Sequence, residues 1–477
     1  MVVYITGHLM RVEALLMLLP TCCALVYREN PIPFAVPIAA LLVCGSVLCL
    51  LRPKNTRLTA RDGFVTVALS WIVLSLFGML PFIISGSITS PADAFFETVS
   101  GFTTTGSSIL NDIEILPRGI LFWRSFTNWI GGMGVLVFML ALLPQSDIRD
   151  SRMVHVMRAE VPGPKVGKLV SSLKHTAIIM YMLYIGLTLV QLVLLLFRVD
   201  FYNAVLISFS TAGTGGFSNM NNSIAAYSSI YVEVVTTVFM ILFGINFNLF
   251  YLVITGKLLQ ALKSEELICY LTIYAAATLT VALNIMKICG GFASALRYAA
   301  FQSASIMSTT GFVTADITTW PALSQTVLLL LMFIGGCAGS TGGGLKVGRL
   351  IILLKSAFRE IRYVIQPRTV RTVRFEGKTV ENDVVRGTGN YFVIYMLVLV
   401  VSTIAVSAIE KTDVVTDFPA VVSCLNNIGP GLGTLGMGNF SAFSGLTKLI
   451  LSADMLLGRL EIYPFLILFS GSAGRER

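Results

Sequence analysis

Four short stretches rich in glycine, threonine, serine and asparagine recur along this chain. They read Ser100-Gly-Phe-Thr-Thr-Thr-Gly106, Phe209-Ser-Thr-Ala-Gly-Thr-Gly215-Gly-Phe217, Ile306-Met-Ser-Thr-Thr-Gly311-Phe312 and Leu425-Asn-Asn-Ile-Gly429-Pro-Gly431. None holds a carboxylate, thiol or imidazole, so acid–base and metal-ligand chemistry are poorly served. What they offer is main chain. Glycine reaches backbone conformations closed to other residues, so Gly106, Gly215, Gly311 and Gly429 can turn neighbouring carbonyls toward an axis. Carbonyl oxygens gathered in that way replace the hydration shell of a cation. The candidate binding backbone is Thr103, Thr104, Thr105 and Gly106; Thr211, Ala212, Gly213, Thr214 and Gly215; Ser308, Thr309, Thr310 and Gly311; Asn426, Asn427, Ile428 and Gly429. The lack of acidic side chains there favours a monovalent, weakly hydrated cation over a divalent one.

Each stretch sits in a segment of 31 to 35 residues (85–118, 198–228, 289–320 and 410–444), bounded by long apolar runs. Such a segment is too apolar for a plain loop and too short to cross a membrane twice as full helices. It reads as a half-helix followed by a re-entrant turn, and non-helical backbone at membrane depth survives only when buried in protein or lining a watery cavity. Asp93, Asp200 and Asp417 stand where helix N-caps are expected. The half-helices then run inward, and their partly negative C-terminal ends face the middle of the membrane. A single Thr-Thr-Thr-Gly would carry little weight. Four copies at the same place in the topology exclude accidental glycine-rich turns and suggest one shared cavity with pseudo-fourfold symmetry.

The remainder of the chain is built to hold these segments in lipid. Of 477 residues, 55% are hydrophobic and 12% charged, against roughly 25% charged in soluble domains. Apolar runs near 10–27, 33–51, 63–84, 119–143, 176–197, 229–255, 267–288, 321–354, 391–409 and 445–470 give about ten transmembrane helices in an all-α integral membrane fold. The expected organisation is a pair of N-terminal helices (1–61) and four parallel helix–pore loop–helix repeats (62–174, 175–266, 267–389 and 390–477). Lys and Arg cluster at 52–61, 149–174, 257–263, 355–386 and 475–477. These alternate with basic-poor segments, which places them, and both termini, in the cytoplasm. The net charge of +9 therefore belongs to the cytoplasmic face and calls for no nucleic acid. No signal peptide is expected, because the first apolar run lacks a small-residue cleavage site and reads as a retained anchor. The eight cysteines lack zinc spacing and read as small buried hydrophobes.

The stretches Gly101-Phe-Thr-Thr-Thr-Gly106, Ser210-Thr-Ala-Gly-Thr-Gly-Gly-Phe217, Gly335-Gly-Cys-Ala-Gly-Ser-Thr-Gly-Gly-Gly344, Asn427-Ile-Gly-Pro-Gly-Leu-Gly433 and Gly458-Arg-Leu-Glu461 resemble the Trk/Ktr/HKT superfamily of potassium transporters. The resemblance covers nearly the whole chain, and the two extra N-terminal helices are similar to its TrkH branch. It implies potassium uptake across the cell membrane through a carbonyl-lined selectivity filter, with potassium as substrate and no cofactor in this chain. All four filter positions are glycine, as in the potassium-selective members; a serine at the first accompanies sodium permeation in the family. The alternative within the same fold is a sodium/potassium-permeable or ion-coupled symporter. The resemblance also implies a homodimer and a cytoplasmic nucleotide-binding regulatory ring of the TrkA type. The basic segment from Lys355 to Arg386 is a candidate dock for that ring, or for anionic membrane lipid.

The eighth apolar run is interrupted by Gly335, Gly336, Cys337, Ala338, Gly339, Ser340, Thr341, Gly342, Gly343, Gly344, Leu345 and Lys346. Each glycine costs a helix about 1 kcal/mol against alanine. A phosphate-binding loop is excluded by spacing, since Gly344-Leu345-Lys346 is not Gly-Lys-Ser/Thr. The resemblance instead implies an intramembrane loop beneath the filter that obstructs and opens the pathway, with Lys346 adding charge beside it. Arg459 lies inside an apolar run, where a charge needs a partner. The resemblance implies that it touches and stabilises the gating loop; Glu461 and Asp454 are its local alternatives. Arg124 and Asn128, near the outer half of the fourth span, read as packing or interfacial residues rather than ligands. A membrane enzyme is disfavoured because the apolar runs lack clustered acids or His. An organic-solute transporter is disfavoured because such folds favour inverted repeats.

Overall fold

The computed structural model describes residues 2–51, 60–134, 173–367, 371–431, 433–436 and 439–469. The basic residues of 52–57 and 149–168, together with His155, the lower part of the fourth expected span (135–143), Arg368, Arg475 and Arg477, lie outside the described residues. The fold is all-α and membrane-spanning. Six described helices are long and apolar enough to cross a bilayer: Val2–Val26, Ile32–Leu50, Arg61–Ile84, Ala177–Leu195, Glu265–Ile285 and Asn382–Ile409. The first two form a hairpin whose backbones meet at Gly7 and Gly45. A Cβ on Gly45 would lie 2.8 Å from the Gly7 carbonyl oxygen, the close approach that small residues permit between helices in lipid.

The other four full-length helices each open a repeat, and each repeat continues through a half-helix into a second, inner helix. The half-helices are Pro91–Phe102, Phe201–Gly213, Phe292–Met307 and Val414–Leu425. The inner helices are Arg118–Gly132, Ile230–Phe243, Ala322–Ile334 and Gly445–Arg459. At 1.5 Å per residue, these inner helices span only about 20–22 Å, short of the ~30 Å hydrocarbon core. In repeats 2, 3 and 4 the chain breaks and resumes as Phe247–Ile254, Val347–Ile365 and Tyr463–Phe469. The repeat 2 pair, Ile230–Phe243 and Phe247–Ile254, is bent by 94°. Interruption, expected from sequence only at 335–346, is thus shared by those three inner helices.

The caps differ from expectation in two of the three named places. Asp200 does cap its helix, accepting from the Asn203 amide. In the first repeat Ser90 is the cap, because Pro91 fixes the first helical position; Asp93 lies within the first turn and pairs with Lys448 at 2.7 Å. In the fourth, Asp413 caps one turn earlier. Asp417 is buried, accepting from Ser407 and Thr412. The cysteines also divide: Cys337 and Cys424 are buried, whereas Cys22 and Cys44 face outward on the N-terminal helices, where lipid can cover them. All eight are free thiols. A small hairpin, Arg374–Phe375 with Lys378–Thr379, interrupts the helices on the basic side.

Candidate cation pathway

The four glycine stretches meet. A side-chain carbon on Gly106 would collide with the Gly215 carbonyl, one on Gly216 with the Thr310 carbonyl, and one on Gly311 with the Ile428 carbonyl. The ring closes because a Cβ on Gly429 would lie 2.7 Å from the Thr105 carbonyl oxygen. Repeat 1 therefore touches 2, 2 touches 3, 3 touches 4, and 4 touches 1, by backbone.

One local geometry repeats four times. The amides of Thr105, Gly215, Thr310 and Ile428 donate to the carbonyls of Ser100, Ser210, Ser305 and Ser423, at 2.8–3.0 Å. Thr104, Thr214, Thr309 and Asn427 adopt positive φ between 54° and 59°, and two residues on Gly106, Gly216, Gly311 and Gly429 do so between 66° and 103°. Positive φ at two positions two residues apart makes a non-helical turn at the end of each half-helix. Three of the serines also hold the turn through their hydroxyls. Ser100 donates to the Ser107 carbonyl and Ser305 to the Phe312 carbonyl, both at 2.6 Å, while Ser423 accepts from the Gly429 amide.

The equivalence corrects the second repeat. Gly216, not Gly215, takes the place of Gly106, Gly311 and Gly429. Gly215 occupies the position of Thr105, and Thr211 and Ala212 remain in the last turn of the half-helix. The run of two glycines hid the register. The serine six residues before each positive-φ glycine was the signal that would have fixed it.

Gly215 is glycine for a second reason: a Cβ there would collide with the Asn128 side chain. Asn128 is fully buried, and oriented to suit its neighbours it donates to the Gly101 carbonyl and accepts from the Phe217 amide. Arg124, one turn earlier, is also buried. It pairs with Glu97 at 2.6 Å, donates to the Ser218 carbonyl at 2.6 Å and stacks on Phe217 at 3.7 Å. Glu97 in turn accepts from the Ser108 hydroxyl and the Ile109 amide. Arg124 and Asn128, read from sequence as packing or interfacial residues, and Glu97 with them anchor the turns of repeats 1 and 2 to each other.

Residues 335–346 lie against the inner end of this ring. The Gly343 amide donates to the Thr309 hydroxyl at 2.7 Å. A Cβ on Gly342 would lie 2.8 Å from the Ser308 carbonyl, and one on Gly343 would strike the Asn426 carbonyl. The segment also grips the bend of repeat 2, through Cys337 amide to Gly244 carbonyl and Phe247 amide to Gly339 carbonyl. Lys346 is buried and donates to the Gly342 carbonyl within the segment. Arg459, at the end of the repeat 4 inner helix, reaches both neighbouring repeats. It donates to the Thr341 carbonyl at 2.9 Å and to the carbonyls of Gly131 and Gly132, which end the inner helix of repeat 1, where a cation is favoured. Of its expected local alternatives, Glu461 pairs with Arg349 and Asp454 accepts from Ser402. Among the described residues no cluster of His, Cys, Asp and Glu could hold a metal ion.

A family model for TrkH, described as cation transport protein, matches residues 34–474. The chain belongs to the TrkH family. Relatives include the Trk system potassium uptake protein TrkH of Salmonella typhimurium, 35% identical over 468 residues with 96% of both chains covered. The protein of that name from Vibrio parahaemolyticus is 35% identical over 487 residues, covering 100% of this chain and 99% of the relative. The crystal structure of the potassium transporter TrkH from Vibrio parahaemolyticus superposes with a TM-score of 0.88 at 34% identity, covering 98% of each chain. The family is one of transporters, not enzymes. For a TrkH-family chain the four-way ring, the segment beneath it and Arg459 at its side form one continuous assembly around a single axis.

Proposed function

We propose that this chain is the ion-conducting subunit of a potassium uptake system. The carbonyls of Thr103–Gly106, Gly213–Gly216, Ser308–Gly311 and Asn426–Gly429 form its selectivity filter. The closed main-chain ring carries this reading. It gathers backbone oxygens from four helix C-termini around one axis, with no formal negative charge at the turns, which suits a partly dehydrated monovalent cation. The names of the relatives supply potassium as the cargo. Residues 335–346 act as the gate: they obstruct the inner mouth of the ring, and Arg459 stabilises them in place. The basic segment 355–386 faces the cytoplasm, as do both termini, and a second copy of the chain and a nucleotide-binding regulatory ring complete the working unit. Tracer rubidium flux into proteoliposomes, followed by reversal potentials in bi-ionic potassium/sodium gradients, tests the reading. Uptake with a potassium preference is expected; absence of flux, with and without the regulatory partner, would reject it.

A further inference from the structure

Glu266 is the second residue of the helix that opens repeat 3, yet its side chain points into the gate segment of the same repeat. It is 3% exposed. One carboxylate oxygen, Oε1, accepts from the Ala338 amide at 2.7 Å and from the Gly348 amide at 3.0 Å. Ala338 lies inside the 335–346 segment, and Gly348 lies in the first turn of the helix into which that segment leads. A single atom therefore joins the segment to the start of the next helix. The fit is close: a Cβ on Gly348 would lie 2.9 Å from that same oxygen.

Glu266 is itself held from the basic side. The carboxylate of Glu376 accepts from the Glu266 amide at 3.0 Å and from the Ser264 hydroxyl at 2.7 Å, satisfying a donor that a helix start leaves open. Glu376 sits at the tip of the hairpin 374–379, where it and Gly377 both have positive φ, 51° and 72°. A two-residue turn of this kind prefers Asn, Asp or Gly at its first position. A glutamate there is strained, and strain retained at a contact points to a use for the side chain. The hairpin is tied further by Lys355, which pairs with Glu265 and donates to the Arg374 carbonyl at 2.8 Å.

We infer that Glu266 is the positioning residue for the 335–346 segment, and that Glu376 couples the exposed hairpin to it. The consequence for conduction rests on the gate reading above; the positioning does not. Displacing the hairpin would free the Glu266 helix end and loosen the carboxylate's hold on Ala338 and Gly348.

The test pairs hydrogen exchange with rubidium flux on the full chain in lipid. Glu266→Ala is expected to speed exchange of peptides spanning 335–348 on the order of ten- to a hundredfold, as loss of a charge-assisted hydrogen bond implies. Glu266→Gln keeps an acceptor oxygen and should restore most of the protection. Gly348→Ala, which displaces the carboxylate without deleting it, and Glu376→Ala, which frees the helix end, should both speed exchange in the same peptides. Unchanged protection in Glu266→Ala, or in Gly348→Ala if the former does not fold, overturns the inference; unchanged protection in Glu376→Ala overturns the coupling. Faster exchange with raised flux supports both the positioning and the gate, whereas faster exchange with flux unchanged upholds the positioning and overturns the gate.

Discussion

Gly106 has φ +83° and the Gly215 carbonyl where a side chain would begin. Its side-chain hydrogen is thus a condition for two repeats to touch. Gly106→Ser is expected to weaken potassium preference over sodium, read as a shift of reversal potential in bi-ionic gradients; an unchanged potential would count against the filter assignment. Arg124 and Glu97 define a second condition. Removing one partner of a buried ion pair costs about 3–5 kcal/mol by leaving the other charge uncompensated, so Arg124→Ala and Glu97→Ala should each lower thermal stability in detergent. A double-mutant cycle should show strong coupling, and additive effects would refute it. These two residues were visible in the sequence but not their partnership. They lie 27 positions apart on helices whose packing composition does not encode.

Among the elements, three of the described inner helices stop after 13–15 residues and resume beyond a break. Sequence showed this only where glycines accumulate, at 335–346. In repeat 2 a bend of 94° follows from Gly244 and the Asn246 cap, too brief a signal against an apolar background. Arg459 binds the loop of repeat 3 to the inner helix of repeat 1. Arg459→Ala is expected to raise basal rubidium flux several-fold without a regulator present; flux at or below the parent level would remove it from the gate. The misplaced N-caps belong at this scale too. Asp93 and Asp417 had the right residue type, but Pro91 and an earlier turn start moved the caps to Ser90 and Asp413.

At the level of the whole molecule, one chain does what four identical subunits would do in a symmetric assembly, and it gains freedom to differ between repeats. Only repeat 3 carries the glycine-rich interruption, and only repeat 2 has two glycines where the others have Thr-Gly or Ile-Gly. Exposed apolar side chains such as Val393, Leu397, Val400 and Val401 run along the opening helix of repeat 4, a face that lipid or a second copy must cover. Native mass spectrometry from lipid nanodiscs is expected to give two copies per particle; a strictly monomeric species retaining flux would refute the dimer as the working unit.

The sequence by itself determined that this protein lies in a membrane, that four half-helices re-enter it in parallel, and which stretches end them. Hydropathy and local backbone chemistry act within a few residues and survive without knowledge of neighbours. Only the tertiary structure decided that Gly216 rather than Gly215 takes the place of Gly106 in the ring, that Arg124 answers Glu97, and that Glu266 holds the segment below. Each of these depends on which main-chain atom comes opposite which, across more than twenty residues of chain, and that is set by packing around the axis.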